Sequence, residues 1–412
     1  MNTASTAVVA GHLIDVVTGA VREQQVVVID DGRVTEVRDA SAGVPSDRPV
    51  HDLSDSWVTP GLIDCHAHLI GDVDSGHGYA GLVMSTAAKD ALTGVRNARD
   101  TVLAGFTTVR DVGTFRALTD VALRNAIDAG WVVGPRMLCA GAFVTVPGGG
   151  GDITGLAPDI DAVIPRDLRY GVASSVDEVR NAVRRLIQGG AGLIKVIATG
   201  AVLTEGTFPG APEFSEDEIR AAVDEAALYG VRVAAHAHGA EGIKRAVRAG
   251  VHTIEHGSLM DDEAIALMAE HGTWLVADIY NGDYIRETGA RDGWSAETMR
   301  KNEDTTDAQR DGFRRAVRAG VRIAYGTDSG VYPHADVARQ LPYMIEHGMT
   351  PIQGLQAATI RAAECLEWDD VVGSLQPGRH ADLVATPTDP LATDLASMRE
   401  LSFVMKGGER LR

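Results

Sequence analysis

Cysteine is scarce: Cys65, Cys139 and Cys365 are the only three in 412 residues, and none forms a CxxC pair. An odd number of scattered thiols excludes a disulfide scaffold and fits a reducing cytoplasm, the expected location. Aromatic residues make up only 5% of the chain. No stretch holds about 18 uninterrupted apolar residues, the length a membrane helix needs. The first ten residues carry no basic segment followed by a long apolar run, so no signal peptide is expected. Positive charge is outnumbered, with 38 Lys and Arg against 57 Asp and Glu, a net charge of −19. Such a surface repels phosphate backbones and anionic headgroups, so neither nucleic acid nor membrane is an expected partner.

The composition is otherwise that of a globular protein, 45% hydrophobic and 23% charged, with 46 glycines to serve many short turns. Residues 7–38 alternate short apolar runs with turn residues. Val26–Ile29, then Asp31-Gly32, then Val34–Val37 reads as a β-hairpin. Residues 39–56 are polar, contain Pro45 and Pro49, and read as a connecting stretch. From Val58 the rhythm changes to apolar runs of about five residues alternating with helical periods. Strands are expected at Leu62–His66, Thr107–Arg110, Met137–Gly141, Leu193–Ile197, Val231–His236, Thr253–His256, Thr273–Ala277 and Val321–Tyr325. Helices are expected between them, clearest at Val176–Gln188 and Glu216–Leu228, the second opened by a Ser215/Glu218 capping box. Gly230, Gly250 and Gly320 sit where helices end.

Eight β/α units with strands that read as continuous apolar runs predict an α/β fold, a closed (β/α)8 TIM barrel, with a doubly wound open sheet as the structural alternative. Residues beyond 368 return to β character. The two chain ends are therefore expected to build one small β-sandwich, 1–58 plus 371–412, beside a barrel of 59–370. Three longer loops, 145–169, 204–213 and 280–298, all follow strands and so fall on the barrel's C-terminal face.

The chemistry-bearing residues cluster at strand ends. His66 and His68 share one face of the first strand, because i and i+2 point the same way. Imidazole is the commonest metal-ligand side chain, so the pair is half a metal site. Lys195 lies in the fourth strand, His236 ends the fifth, His256 ends the sixth, and Asp328 follows the eighth. Barrel active sites are built from the C-terminal ends of several strands. A lysine inside an apolar strand is either salt-bridged, a snorkelling stem, or depressed in pKa by burial. In the last case its neutral amine can take up carbon dioxide as a carbamate that bridges two metal ions. His238 shares the face of His236. Tyr280, His334 and Arg110 are looser candidates for contact with substrate, and Arg110 could instead pair with a neighbouring Asp.

Pro60-Gly61-Leu62-Ile63-Asp64-Cys65-His66-Ala67-His68, the lysine of Leu193-Ile194-Lys195, His236 in His-Ala-His-Gly, His256 in Ile-Glu-His-Gly, and Asp328 in Gly-Thr-Asp together resemble the amidohydrolase superfamily. The resemblance extends to Pro377–Leu383. More narrowly, it is similar to the imidazolonepropionase-like branch, with its Xaa-Pro and Xaa-Arg dipeptidases and ochratoxin-type amidases. It implies a binuclear site holding two divalent metals, zinc first among them. His66, His68 and Asp328 would hold one metal, His236 and His256 the other, with carboxylated Lys195 and a hydroxide bridging them. It also implies Asp328 as general base then acid, His238 in contact with substrate, and a homo-oligomer. The expected substrate is a small amide or dipeptide-like molecule cleaved at a C–N bond. A cyclic amide, urea, carbamate or lactone hydrolase, a deaminase, or a non-catalytic scaffold are the alternatives; Lys195 counts against the deaminase. Related members often carry Thr-Gly-Gly-His-Gly after the third strand. Here Val146-Pro147-Gly148-Gly149-Gly150-Gly151-Asp152 lacks that histidine, which counts against a substrate recognised there through a free carboxylate.

Overall fold

The computed structural model describes residues 5–71 and 79–412; the first four residues of the stretch read for a leader lie outside it. Strands β1 (Thr6–Asp15), β2 (Ala20–Asp30), β3 (Arg33–Asp39) and β4 (Val50–Pro60) come first. The barrel strands follow: β5 (Leu62–Ala67), β6 (Phe106–Asp111), β7 (Arg136–Cys139), β8 (Phe143–Val144), β9 (Leu193–Ile197), β10 (Arg232–Gly239), β11 (Thr253–Leu259), β12 (Trp274–Ala277) and β13 (Ile323–Tyr325). Strands β14 (Leu383–Thr386), β15 (Phe403–Lys406) and β16 (Glu409–Arg410) end the chain.

The parallel runs β5-β6-β7 and β8-β9-β10-β11-β12-β13 form the barrel wall. Its third strand is broken. β7 pairs with β6 and β8 with β9, with a bend at Ala140–Ala142 where Gly141 has φ +81°. Closure runs from the eighth strand back to the first: Asp328 N–H donates to His66 O at 2.7 Å and His68 N–H to Ser329 O at 2.8 Å. This is the expected (β/α)8 barrel.

Strand β9 shows how the sequence pattern aims the site. All five residues are buried. Ile194 and Val196 pack into the core between sheet and helices. Leu193 packs inside the barrel with Val112, Ala140 and Ala234, and by the period of two Lys195 follows it inward. The expected helices form at Val176–Gln188 and Glu216–Ala227, the second with its Ser215/Glu218 capping box complete.

Both chain ends enter one seven-stranded sheet, in the order β16-β15-β14-β4-β1-β2-β3. The expected sandwich is this single sheet curled over itself. Val34 N–H on β3 donates to Arg379 O at 2.9 Å and Ala381 N–H to Gly32 O at 2.8 Å. The sheet encloses its own small core, with Val8, Val27, Leu383 and Phe403. It is tied to the barrel by Arg136–Asp382 at 2.7 Å. Two expectations are corrected. Residues 50–56 are not connector but the outer half of β4; they are polar because this half is only partly buried. Residues 281–292 of the third long loop form a helix, Asn281–Asp292. Its low apolar content hides it from pattern reading. Among the described residues no helix is long and apolar enough to cross a membrane.

Gly11 is where β1 and β4 slip register. A Cβ built there would lie 2.1 Å from Ser54 O. Gly11→Ala is therefore expected to cost about 1–3 kcal/mol as an overpacking change, read as a lower urea midpoint with the sheet still formed by circular dichroism.

Candidate metal centre

The C-terminal ends of the barrel strands open into a cavity of about 720 Å³. His66, His68, Lys195, His236, His238, His256 and Asp328 all line it. The long loops wall it off. Gly150 N–H donates to Glu213 at 2.8 Å, and Thr204 Oγ1 donates to Gly150 O at 2.7 Å, so the glycine-rich stretch and the 204–213 loop clasp each other. The latter loop lies so close on β10 that a Cβ at Gly239 would sit 2.3 Å from Gly210 O.

Four imidazoles each spend one nitrogen on a protein acceptor. His66 Nδ1 lies 2.7 Å from Glu255 Oε2, and His68 Nδ1 lies 2.6 Å from Gly113 O. His256 Nδ1 lies 2.9 Å from Asp278 Oδ1, and His236 Nε2 lies 3.2 Å from Gly200 O. The acceptors fix each tautomer and leave the other nitrogen with a lone pair, as metal-ligating histidines require. The free Nε2 atoms of His66 and His68 come within 3.4 and 3.2 Å of Asp328 Oδ1. His66, His68 and Asp328 make one group whose donor atoms lie within 4.8 Å of each other; His236, His238 and His256 make a second, and His256, Asp278 and Asp328 a third that joins them. His238 Nδ1 meets Ser258 Oγ at 2.8 Å.

Lys195 is buried and its Nζ finds no hydrogen-bond partner. Burial pushes its ammonium down to about 8. Burial, then the Lys195 charge, also holds His66 below the ordinary imidazole value. Imidazoles, a carboxylate and an orphaned amine form a donor set that fits divalent cations. Backbone strain is concentrated here too. His256 and Asp328 have φ of +68° and +55°, a region non-glycine residues avoid unless the surroundings hold them there.

The relatives fit this geometry. The amidohydrolase family model matches residues 57–411. The chain belongs to the amidohydrolase family. It is a hydrolase acting on carbon–nitrogen bonds, in a family that generally binds divalent metals. Ochratoxinase of Aspergillus niger is 33% identical over 367 residues, 85% of this chain and 75% of that protein. Imidazolonepropionase of Pseudomonas putida is 28% identical, covering 86% and 89%. The crystal structure of a Xaa-Pro dipeptidase with methionine bound in its active site superposes with TM-score 0.90 at 34% identity, over 99% of this chain and 100% of that one.

Three candidates for substrate contact sit elsewhere in this amidohydrolase. Arg110 does not line the cavity; it lies buried inside the barrel with NH2 2.7 Å from Glu255 Oε1 and NH1 3.1 Å from Thr253 Oγ1. The carboxylate it meets belongs to the protein. Tyr280 is buried against Tyr332 and Tyr343. His334 is buried near Thr101, with its ring held neutral by burial, down to about 3. Neither lines the cavity. Sequence reading missed Glu255, Asp278, Asn281 and Gln309. The first carries a visible signal, an acidic residue inside a β run directly before His256. Gln309 donates to Asp278 Oδ1 at 2.9 Å from a helix spanning Ala296–Arg318, which no motif marks.

Glu255 is fully buried between Arg110 and His66. Burial opposes its charge, but Arg110, Lys195 and His66 outweigh it and hold the carboxyl below its usual range. Glu255→Ala strands a buried guanidinium and should cost about 3–5 kcal/mol; thermal melting of the metal-free protein checks it, so that loss of metal does not enter the comparison.

Proposed function

We propose that the chain is a binuclear amidohydrolase that cleaves the C–N bond of an amide or dipeptide-like small molecule. The observation that carries this reading is Lys195: a buried amine without a hydrogen-bond partner, in a cavity also lined by three overlapping groups of metal-donor side chains. His66, His68 and Asp328 would hold one cation, His236 and His256 the other, and Lys195 carboxylated by carbon dioxide would serve both. Zinc suits this mixed nitrogen and oxygen set. Divalent cations bound there would supply Lewis acidity, polarising a carbonyl and acidifying water.

The chain's own residues do the rest. Asp328 offers Oδ1 toward His66 and His68, while Oδ2 accepts from Asn281 Nδ2 at 3.0 Å. Its carboxylate is the group placed to take a proton from the attacking water and return it to the leaving nitrogen. His238, which lines the cavity with His236, would contact the substrate. The clasped loops form part of the cavity lining. In this reading residues 59–370 form the catalytic barrel, and 1–58 with 371–412 the unit that braces it.

Metal analysis of the purified chain tests the proposal, together with a panel of N-acyl amino acids, dipeptides and lactams assayed with ammonia detection. About two zinc per chain and turnover of an amide are expected. Lys195→Ala should lose metal and lower kcat/KM by at least about 100-fold, beyond the usual effect of losing an outer-shell partner. A Lys195→Ala protein with full metal content and full turnover would overturn the reading, and ammonia release would favour a deaminase instead.

A further inference from the structure

One wall of the cavity is a row of rings. His68 and Phe143 meet edge to face with centroids 5.6 Å apart, Phe143 and Phe115 at 5.0 Å, and Phe115 and Tyr79 at 5.1 Å. All four residues line the cavity and all four are partly exposed. The row thus runs from a metal-donor imidazole to the 204–213 loop, where the Tyr79 hydroxyl meets Thr204 Oγ1. Ile70, Ile197 and Val331 extend the apolar lining. Charge is scarce above the metal-donor side chains and Lys195. Among the described residues, the other charged groups that line the cavity are Lys89, Asp90, Arg116 and Glu205. Asp90 and Arg116 pair with each other at 2.7 Å. Arg116 also donates to Asp167 at 2.8 Å and to the Leu82 and Ser85 carbonyls at 3.1 and 3.2 Å. Lys89 and Glu205, one of each sign, are exposed. The helix Ala296–Arg318 adds Asn302, Thr305 and Thr306, neutral groups that donate to backbone carbonyls at 2.9, 2.8 and 2.6 Å.

We propose that the site takes amides whose flanking groups are uncharged, with an aromatic ring of the substrate seated on Phe115 and Phe143, in preference to amino-acid amides that bear a free carboxylate. The inference rests on the amide-hydrolase reading above and narrows it. Small-molecule cavities recognise their ligands through apolar lining and a few placed polar groups. Here the lining offers ring edges and faces, and a substrate ring packed on them gains aromatic contact beyond the burial of its own area. A carboxylate brought to the same wall leaves water and finds the one guanidinium there already bound to two carboxylates and two carbonyls. Its desolvation is then left without compensation. Lys89 stands out in solvent, where salt screens its charge. The chain would therefore share its fold with a Xaa-Pro dipeptidase and differ in the charge of its substrate.

Two amides that differ only by a carboxylate provide the test: N-benzoyl-2-phenylethylamine and N-benzoyl-L-phenylalanine, each assayed with the zinc-loaded full chain. The uncharged compound is expected to show a kcat/KM at least about tenfold higher, since a site discriminates through the unpaired charge it would have to bury. Phe115→Ala and Phe143→Ala are each expected to raise the KM for that compound at least about tenfold. KM is a concentration and does not depend on how much of a variant folds, and the comparison of the two amides needs no variant at all. Equal or faster turnover of the carboxylate compound, or cleavage confined to carboxylate-bearing members of the wider panel, overturns the inference. An unchanged KM in both variants does the same. A zinc-loaded wild type that cleaves no amide of either kind overturns the functional reading, and this inference with it.

Discussion

The ion pair between Arg110 and Glu255, sealed inside the barrel, is the constraint from which the site follows. A carboxylate buried this deeply survives only if it is paired. Arg110 supplies the pairing from β6, and the second oxygen of Glu255 is then free to fix His66. Glu255 is thus hydrogen-bonded to Arg110 and His66, while the nearby Lys195 keeps a buried Nζ without a hydrogen-bond partner. One internal salt bridge thus orients a histidine beside a buried lysine.

The two halves of the centre are held differently. The inner half leans on that internal pair and on a backbone carbonyl from Gly113, both parts of the barrel wall. The outer half leans on Asp278, which is itself gripped by Gln309 and Asn281 from helices outside the wall. Rigid strands set the first and helix packing sets the second. The outer half therefore couples to helices that also line the cavity.

Much of this was legible in the chain itself. Lys195 stood out because a charge interrupts an otherwise apolar strand; its inward direction follows from Leu193, which packs inside the barrel two residues before it. His66, His68, His236, His256 and Asp328 were readable because each closes a β run, where barrel chemistry gathers. The helix at 281–292 was not, because its polar sequence carries little periodic signal, and so Asn281 passed as loop. Arg110 was read toward the cavity because its buried partner, Glu255, lies 145 positions away in sequence. Pairings at that distance are set by topology, which local pattern does not encode. The break in the third strand was hidden for a related reason. Pattern reading finds apolar runs and cannot see where hydrogen-bond partners change from β6 to β9.

The curled sheet has a consequence for how the molecule comes to exist. Strand β4 feeds directly into β5 and so positions the first two histidines, yet one of its two neighbours, β14, is made more than 300 residues later in synthesis. Until that late segment emerges, β4 carries an open edge, the kind of surface on which strands of other chains pair. Contacts so far apart in sequence also close slowly. The bracing of the catalytic barrel is thus the last part of the architecture to be completed. A ribosome that stops short would release a chain with the metal donors already translated and a sticky seam still unclosed.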